Sequence, residues 1–98
     1  MNKTSDVLSP HYFVYTFVSL KDNKFYVGFT TNLEQRLSEH NNGNVIATKN
    51  RLPLKLIHYE YFTNRGDAIA RERFLKSGFG REQMRHALKR TLITFKVI

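Results

Sequence analysis

The chain has 98 residues, of which 41% are hydrophobic and 13% aromatic, enough for the core of one small globular domain and too apolar for a disordered tail. Sixteen Lys and Arg residues against eight Asp and Glu residues give a net charge of +8, which favours nucleic acid as the partner. There are two alternatives: the charge serves only solubility, or the partner is an anionic membrane. Membrane binding is not favoured, because the sequence has no strongly amphipathic basic helix. The absence of cysteine excludes disulfides, a thiolate nucleophile and cysteine-based zinc sites.

Neither a membrane span nor a signal sequence is predicted. No apolar run approaches the ~18 residues that a membrane-spanning helix needs, and the polar N-terminus has no apolar signal core. We therefore expect a cytoplasmic protein that does not associate with membranes. Residues 1–10 are polar and are expected to form a flexible leader, and residues 11–98 are expected to form a single domain.

Two stretches at the start of that domain have the pattern of β-strands. Residues 12–18 alternate and are rich in aromatic and β-branched side chains, and residues 25–30 form a second such run. Asp22 and Asn23 lie between them and are typical turn residues. The two strands are therefore predicted to pair as a hairpin.

Two tyrosines and a glycine in this hairpin predict a shared polar position. If Tyr15 lies opposite Tyr26 or Gly28, both phenols point to the same side of the sheet. A glycine inside a strand weakens it and often marks a place where another group approaches closely. The ordinary interpretation is that both tyrosines are core aromatics with satisfied hydroxyl groups.

A short helix is predicted over residues 33–41. Its start can be capped by Thr31 with Glu34 three residues later, or by Asn32 with Gln35. An Asn-Asn-Gly sequence then follows, which suits a left-handed turn at the end of a helix.

The second half of the chain continues the alternation of strands and helices. Residues 43–53 are predicted to form a basic loop and residues 54–62 a third strand. A helix follows from a cap at Asn64 or Asp67 and runs to about Lys76.

The last part of the chain is predicted to be helical with an apolar end. Glycines within residues 78–80 break the preceding helix, and residues 81–92 can form another. Residues 92–98 are apolar and are expected to form a closing strand or an interface edge. The whole order predicts an α+β fold with helices packed on a small mixed sheet.

Charged and polar side chains interrupt two predicted apolar faces. Arg36 and His40 share a stripe of the first helix with Leu33 and Leu37, and Glu72 lies between apolar positions of the second. An unpaired buried charge costs several kcal/mol, so each of these groups needs a partner or a function.

Each of the three has an ordinary structural interpretation. Glu72 can form an ion pair with Lys76 one turn later. The Arg36 side chain can extend along the leucines to the surface, and His40 can interact with the end of the helix dipole.

Together the two phenols of Tyr15 and Tyr26, the guanidinium, the imidazole and the carboxylate suit the cleavage of a phosphodiester bond. A carboxylate can hold one Mg²⁺, which neutralises the scissile phosphate and its leaving oxygen, and an arginine can clamp the phosphate. A phenol with a pKa of about 10 is a poor base at neutral pH unless positive charge lowers its pKa. Arg36, His40 and the metal are the expected sources of that charge.

Four short motifs in order resemble the GIY-YIG nuclease family. The sequence FVY at 13–15 stands where the family has GIY, and YVG at 26–28 stands where it has YIG. RLSEH at 36–40 resembles the family's helix with Arg and His, and AIARERFLK at 68–76 resembles its metal-binding helix. The match covers about residues 12–80 and is most similar to compact single-domain members, such as the nuclease module of the excision-repair incision subunit.

The resemblance implies a three-stranded, mainly antiparallel sheet with helices around it, and a DNA endonuclease that uses one Mg²⁺ or Mn²⁺. It implies that Tyr26 is the general base or orients the water and that Tyr15 positions the phosphate. Arg36 would stabilise charge on the phosphate, and His40 would assist in proton transfer or contact the phosphate. Glu72 would bind the metal.

The chain departs from the family pattern at three places. Phe13 replaces the glycine of GIY, and Phe29 stands where some members have a lysine that would lower the pKa of the tyrosine. An asparagine that completes the site in some members has no clear counterpart in this chain.

Three functions are open on this basis. The first is a metal-dependent endonuclease that leaves a 5′-phosphate and acts on branched or flapped DNA, or with a partner that supplies targeting. The second is a catalytically weak nucleic-acid-binding module on the same fold, and the third is an interaction or homodimerisation unit that uses the apolar C-terminal segment. The first is favoured because a carboxylate at position 72 repels a phosphate unless a cation intervenes. Predicted DNA contacts are Gly28, Lys49, Arg51 and Arg65, to which the binding module adds Lys55, Arg81, Arg85, Lys89 and Arg90.

Overall fold

The computed structural model describes residues 10–97, so the predicted leader lies outside the described residues except for Pro10. Three strands and four α-helices follow in the order β-β-α-β-α-α-α, with one short 3-10 helix before the third strand. The elements are β1 (Tyr12–Ser19), β2 (Phe25–Thr30), α1 (Leu33–Asn41), the 3-10 helix (Lys49–Arg51), β3 (Leu54–Phe62), α2 (Arg65–Lys76), α3 (Gly78–Ala87) and α4 (Lys89–Thr94).

The sheet has the strand order β2-β1-β3, and both neighbouring pairs are antiparallel. This confirms the predicted α+β fold with a three-stranded antiparallel sheet. Tyr15 lies at the centre of β1, opposite Gly28 on β2 and Tyr59 on β3. Strand β2 therefore forms one edge of the sheet.

The two faces of the sheet bury different groups. One face packs against the helices of the C-terminal half and forms the larger apolar core. The other face carries Tyr15 and Phe17, which pack with Leu54 and with the leucines of α1. Buried members of the larger core are Val14, Val18, Phe25, Val27, Ala68, Leu75, Met84, Leu92 and Val97.

The helix ends follow from local side chains. Of the two caps predicted for α1, Asn32 is the one that forms: its side-chain oxygen accepts a hydrogen bond from the Gln35 amide at 3.1 Å. Gly43 after α1 has a φ of 76°, as expected for a left-handed turn. Asn64 caps α2 in the same way and accepts from the Asp67 amide at 3.1 Å.

Two expectations for the C-terminal part are wrong, although α2 does end before residues 78–80 as expected. The helix predicted over residues 81–92 begins at Gly78 and is divided into α3 and α4, because the Ser77 hydroxyl caps α3 by accepting from the Gly80 amide. Gly80 packs so tightly on the end of α2 that a β-carbon there would overlap the Phe74 carbonyl.

The apolar run 92–98 contains no closing strand among its described residues. Helix α4 extends into it, and Leu92 and Val97 are both 2% exposed in the larger core. A short apolar run fits a strand or a buried helix equally well by pattern, and contact with the core decides between them. None of the helices within residues 10–97 is both long and apolar enough to span a membrane.

Candidate active site

Tyr15 occupies the centre of the candidate site and depends on the glycine opposite it. Its side chain is 1% exposed. A β-carbon at position 28 would overlap the end of the Tyr15 ring and the phenol oxygen. Gly28 therefore makes room for the Tyr15 phenol. The group expected to approach this glycine closely is thus the Tyr15 side chain.

A chain of three buried polar side chains starts at this phenol. The Tyr15 oxygen lies 2.9 Å from Nε2 of His40, and Nδ1 of His40 lies 2.8 Å from the Thr48 hydroxyl. His40 and Thr48 are both fully buried. Each ring nitrogen of His40 thus has a partner, which fixes the orientation of the ring.

His40 carries no charge at neutral pH. Burial lowers its pKa from the ordinary 6.5 to about 4, and the nearby positive charge of Arg36 acts in the same direction. The expectation that His40 supplies positive charge to the tyrosines is therefore wrong. A neutral imidazole can still donate or accept a hydrogen bond at the phenol.

The Tyr15 phenol is protonated at neutral pH. Burial raises its pKa above the ordinary value of 10.0, and a hydrogen bond from Arg36 opposes this effect only in part. Arg36 is itself held by Glu39, whose carboxylate lies 2.9 Å from the guanidinium and raises the arginine pKa. Arg36 therefore acts on the buried phenol while its guanidinium also pairs with Glu39 at the surface of α1.

Tyr26 lies on the same side of the sheet but is more accessible than Tyr15. Its ring centre is 5.2 Å from that of His40. It also lines a cavity of about 260 Å³ together with Arg51, Lys76 and Arg81. Of the two phenols, Tyr26 is thus the one that a molecule entering from this basic cavity would meet first.

The carboxylate of Glu72 lies within electrostatic range of the Tyr15 phenol, although α2 packs on the opposite face of the sheet. Its negative charge contributes to the raised pKa of Tyr15, as does the proximity of Tyr26. Its carboxylate forms an ion pair with Lys76 at 3.0 Å, and its side chain is 19% exposed. The ordinary interpretation, an ion pair one turn apart, is therefore present, and the structure nevertheless brings the carboxylate near the phenols.

The donor set fits a single divalent cation that takes few protein ligands. Within residues 10–97 there is no cluster of three His, Cys, Asp or Glu side chains that could enclose a metal. Mg²⁺ is commonly bound through one or two carboxylates and completes its shell with water and substrate phosphate oxygens. Glu72 is partly exposed and offers one carboxylate for that mode of binding, for which a metal ion would have to displace the Lys76 ammonium.

The predicted DNA contacts differ in how free they are. Lys49 is exposed. Arg51 is engaged by Asp22 at 2.7 Å and by the carbonyl oxygen of Lys24 at 3.1 Å. The guanidinium of Arg65 lies over the ring of Phe29 at 5.7 Å. Gly28 is buried, so its contribution is the packing of the site.

Residues 11–85 match the family model of the GIY-YIG catalytic domain. The chain belongs to the GIY-YIG family. It is 40% identical to the UPF0213 protein YsiG of Lactococcus lactis subsp. lactis over 88 residues, which are 89% of this chain and 84% of the relative. A UPF0213 protein of Staphylococcus haemolyticus is 42% identical over 77 residues, or 78% of this chain and 90% of the relative.

Another relative, a UPF0213 protein of Clostridium perfringens, is 44% identical over 57 residues, which are 57% of this chain and 61% of that protein. The search of solved structures gave no match. Membership of the GIY-YIG family indicates a nuclease-type domain, and the arrangement of its side chains in this chain is the one described above.

Sequence reasoning missed one residue of this GIY-YIG site. Thr48 is a single threonine in a polar loop, and no motif or periodicity in the sequence connects it with His40. Only the folded loop places its hydroxyl against the imidazole.

Proposed function

We propose that this protein is a metal-dependent DNA endonuclease that hydrolyses phosphodiester bonds. One observation supports the proposal: the other four predicted groups all act on the Tyr15 phenol. His40 lies 2.9 Å from its oxygen, and Arg36, Tyr26 and Glu72 all act on its pKa.

The two phenols have different roles in the proposed reaction. Tyr26 lines the basic cavity and holds the attacking water in place, or, as the phenolate, takes a proton from that water and becomes the neutral phenol. Tyr15 stays protonated and buried, and helps to position the phosphate through Arg36, which acts on its phenol and reaches the surface of α1. His40 keeps the Tyr15 phenol in position because its own ring is fixed by Thr48.

Arg36 and Glu72 balance charge around the phosphate. A guanidinium has five N–H donors, and the bond to Glu39 leaves several of them for a phosphate oxygen. Glu72 would hold the Mg²⁺ or Mn²⁺. When bound, such an ion supplies neutralisation of charge on the phosphate and on the leaving oxygen.

A second function has one observation in its favour. In a catalytically weak DNA-binding module, the carboxylate of Glu72 would repel phosphate, but the ion pair with Lys76 already neutralises it. The binding module therefore remains the competing proposal, and the two differ in whether Glu72 is needed for strand cleavage.

Nicking of supercoiled plasmid in Mg²⁺ or Mn²⁺ tests the proposal. Glu72→Gln, Tyr26→Phe and Arg36→Ala should each lower the rate by about 10²-fold or more, as expected when a catalytic group is lost. Glu82→Gln is the matched control, because Glu82 is an exposed glutamate on α3, outside the site. Its rate should equal that of the wild type.

Two outcomes contradict the endonuclease. Nicking that survives all three substitutions would come from another site or from a contaminant. No cleavage of plasmid, branched or single-stranded DNA by the wild type, with DNA binding retained, would favour the binding module.

A further inference from the structure

Two neighbouring depressions lie along the edge strand β2. The larger has a volume of about 560 Å³, and the smaller, of about 260 Å³, is the one that Tyr26 lines. Both are lined by Phe25, Arg51 and Arg81, so they form one continuous groove. We call this the basic groove, and its lining residues are Asp22, Lys24, Phe25, Tyr26, Val27, Arg51, Lys76, Arg81 and Arg85.

The cations of the basic groove are only partly neutralised. Its one acidic residue, Asp22, is paired with Arg51, which also lowers the pKa of the Asp22 carboxyl to about 2. Lys76 is paired with Glu72. Within residues 10–97, Lys24, Arg81 and Arg85 form no ion pair, which leaves three uncompensated positive charges along the groove.

The groove connects these cations with the candidate site, because Tyr26 is one of its lining residues. Lys24 lies at the hairpin end of β2, and Tyr26 lies farther along the same strand. Helix α3 forms the opposite wall. The guanidinium of Arg85 lies over the ring of Phe25 at 4.7 Å, a stacking that leaves its in-plane N–H groups free to donate.

We propose that the basic groove binds the phosphodiester backbone of the DNA strand next to the cleaved bond and leads that strand to Tyr26. This inference rests on the proposed function, because it assumes that the substrate is DNA. A row of unpaired guanidinium and ammonium groups in a concave surface is the arrangement that neutralises successive phosphates. Arg81 and Arg85 are thus the main phosphate contacts, and Arg51 serves the groove mainly by holding its wall together.

The dependence of DNA affinity on salt tests the groove. Binding of a fluorescently labelled DNA duplex is measured by anisotropy in EDTA, so that no strand is cut, with the double variant Arg81→Ala/Arg85→Ala. Each phosphate contact contributes about 0.9 to the slope of log affinity against log salt concentration. The slope should therefore become shallower by about 1.8 in this variant.

The double variant Arg73→Ala/Lys96→Ala is the matched control. Both residues are exposed, Arg73 on α2 and Lys96 after α4, neither lines the groove, and the change in net charge is the same. Its slope should stay at the wild-type value. Circular dichroism and thermal unfolding of both variants check that the loss of the Arg85–Phe25 contact leaves the fold intact.

Two results would overturn the groove: equal changes of slope in the two double variants, which would indicate a diffuse basic surface, or no change in either. The outcome is separate from that of the nicking assay. A groove-dependent slope without nicking keeps the groove and removes the endonuclease. Nicking with a groove variant that binds and cuts like the wild type removes the groove alone.

Discussion

The two faces of strand β1 are stabilised by different kinds of contact, although their residues alternate along the strand. Val14 and Val18 point into the larger core, where they are stabilised by apolar contact on every side. Tyr15 points to the other face, where its hydroxyl has a specific partner. On the first face, the effect of a substitution should follow the volume removed, whereas on the second it should follow the loss of individual polar atoms.

The largest effect on folding stability is expected on the apolar face. Leu75 is 2% exposed in the core, and its truncation to alanine should lower the free energy of unfolding by about 2–5 kcal/mol. Ile93 is the control because it is 50% exposed, and its truncation should change stability by less than about 0.5 kcal/mol. Urea denaturation measures both. Equal losses would mean that the larger core is not where the structure places it.

The next effect depends on pH and is specific to the polar face. His40 has a pKa of about 4 when folded and an ordinary value of 6.5, so the unfolded chain binds a proton first as the pH falls. The stability that neutral His40 supports is complete above pH 6.5 and is lost progressively down to about pH 4. At about 1.4 kcal/mol per pKa unit, the loss is up to about 3 kcal/mol.

His40→Gln tests that assignment, because glutamine does not titrate. Urea denaturation at a series of pH values should show that the variant lacks the loss of stability over this range, even if it is less stable throughout. A variant that keeps the wild-type pH dependence would place the titrating group elsewhere.

A smaller effect is expected at the far end of the buried polar chain. Thr48→Val keeps the shape of the side chain but leaves Nδ1 of His40 without a partner, which should cost about 1–3 kcal/mol. Thr48→Ser keeps the hydroxyl and should restore most of that loss. Long-range ¹H–¹⁵N spectra of His40 should show altered ring-nitrogen shifts in the valine variant only. Unaltered shifts in both variants would show that the hydroxyl does not bond to the ring.

The smallest effect is expected at the rim of the basic groove. Asp22→Asn weakens a partly exposed ion pair with Arg51, so stability should change by no more than about 1 kcal/mol. DNA should bind more tightly, because the only acidic residue of the groove is lost. Anisotropy at low salt measures this, with Asp67→Asn on α2 as a control that lies outside the groove. Equal tightening by both variants would argue for net charge alone.

Most of the fold could be predicted because its signals are local. Alternation of aromatic and β-branched residues identifies the strands, and a short cap such as Asn32 identifies the start of a helix. The C-terminal run was missed because its apolar pattern is shared by strands and buried helices, and only the contact of Leu92 and Val97 with the core distinguishes them.

The candidate site could be predicted only where side chains follow from register. Placing Tyr15 opposite Gly28 needs no more than a hairpin pairing. The charge of His40 depends on how deeply the ring is buried, and the hydroxyl of Thr48 reaches it through a loop of irregular path. No sequence motif therefore predicts either the charge of His40 or its contact with Thr48.

Gly80 allows α3 to pack closely on the end of α2. Because Gly80 has no side chain, α3 packs directly against the Phe74 carbonyl, so this contact helps to set how close α3 lies to the end of α2. A methyl group at position 80 would push α3 away from the end of α2 and would move Arg81 and Arg85 relative to β2. The basic groove would then change its width while keeping all of its cations.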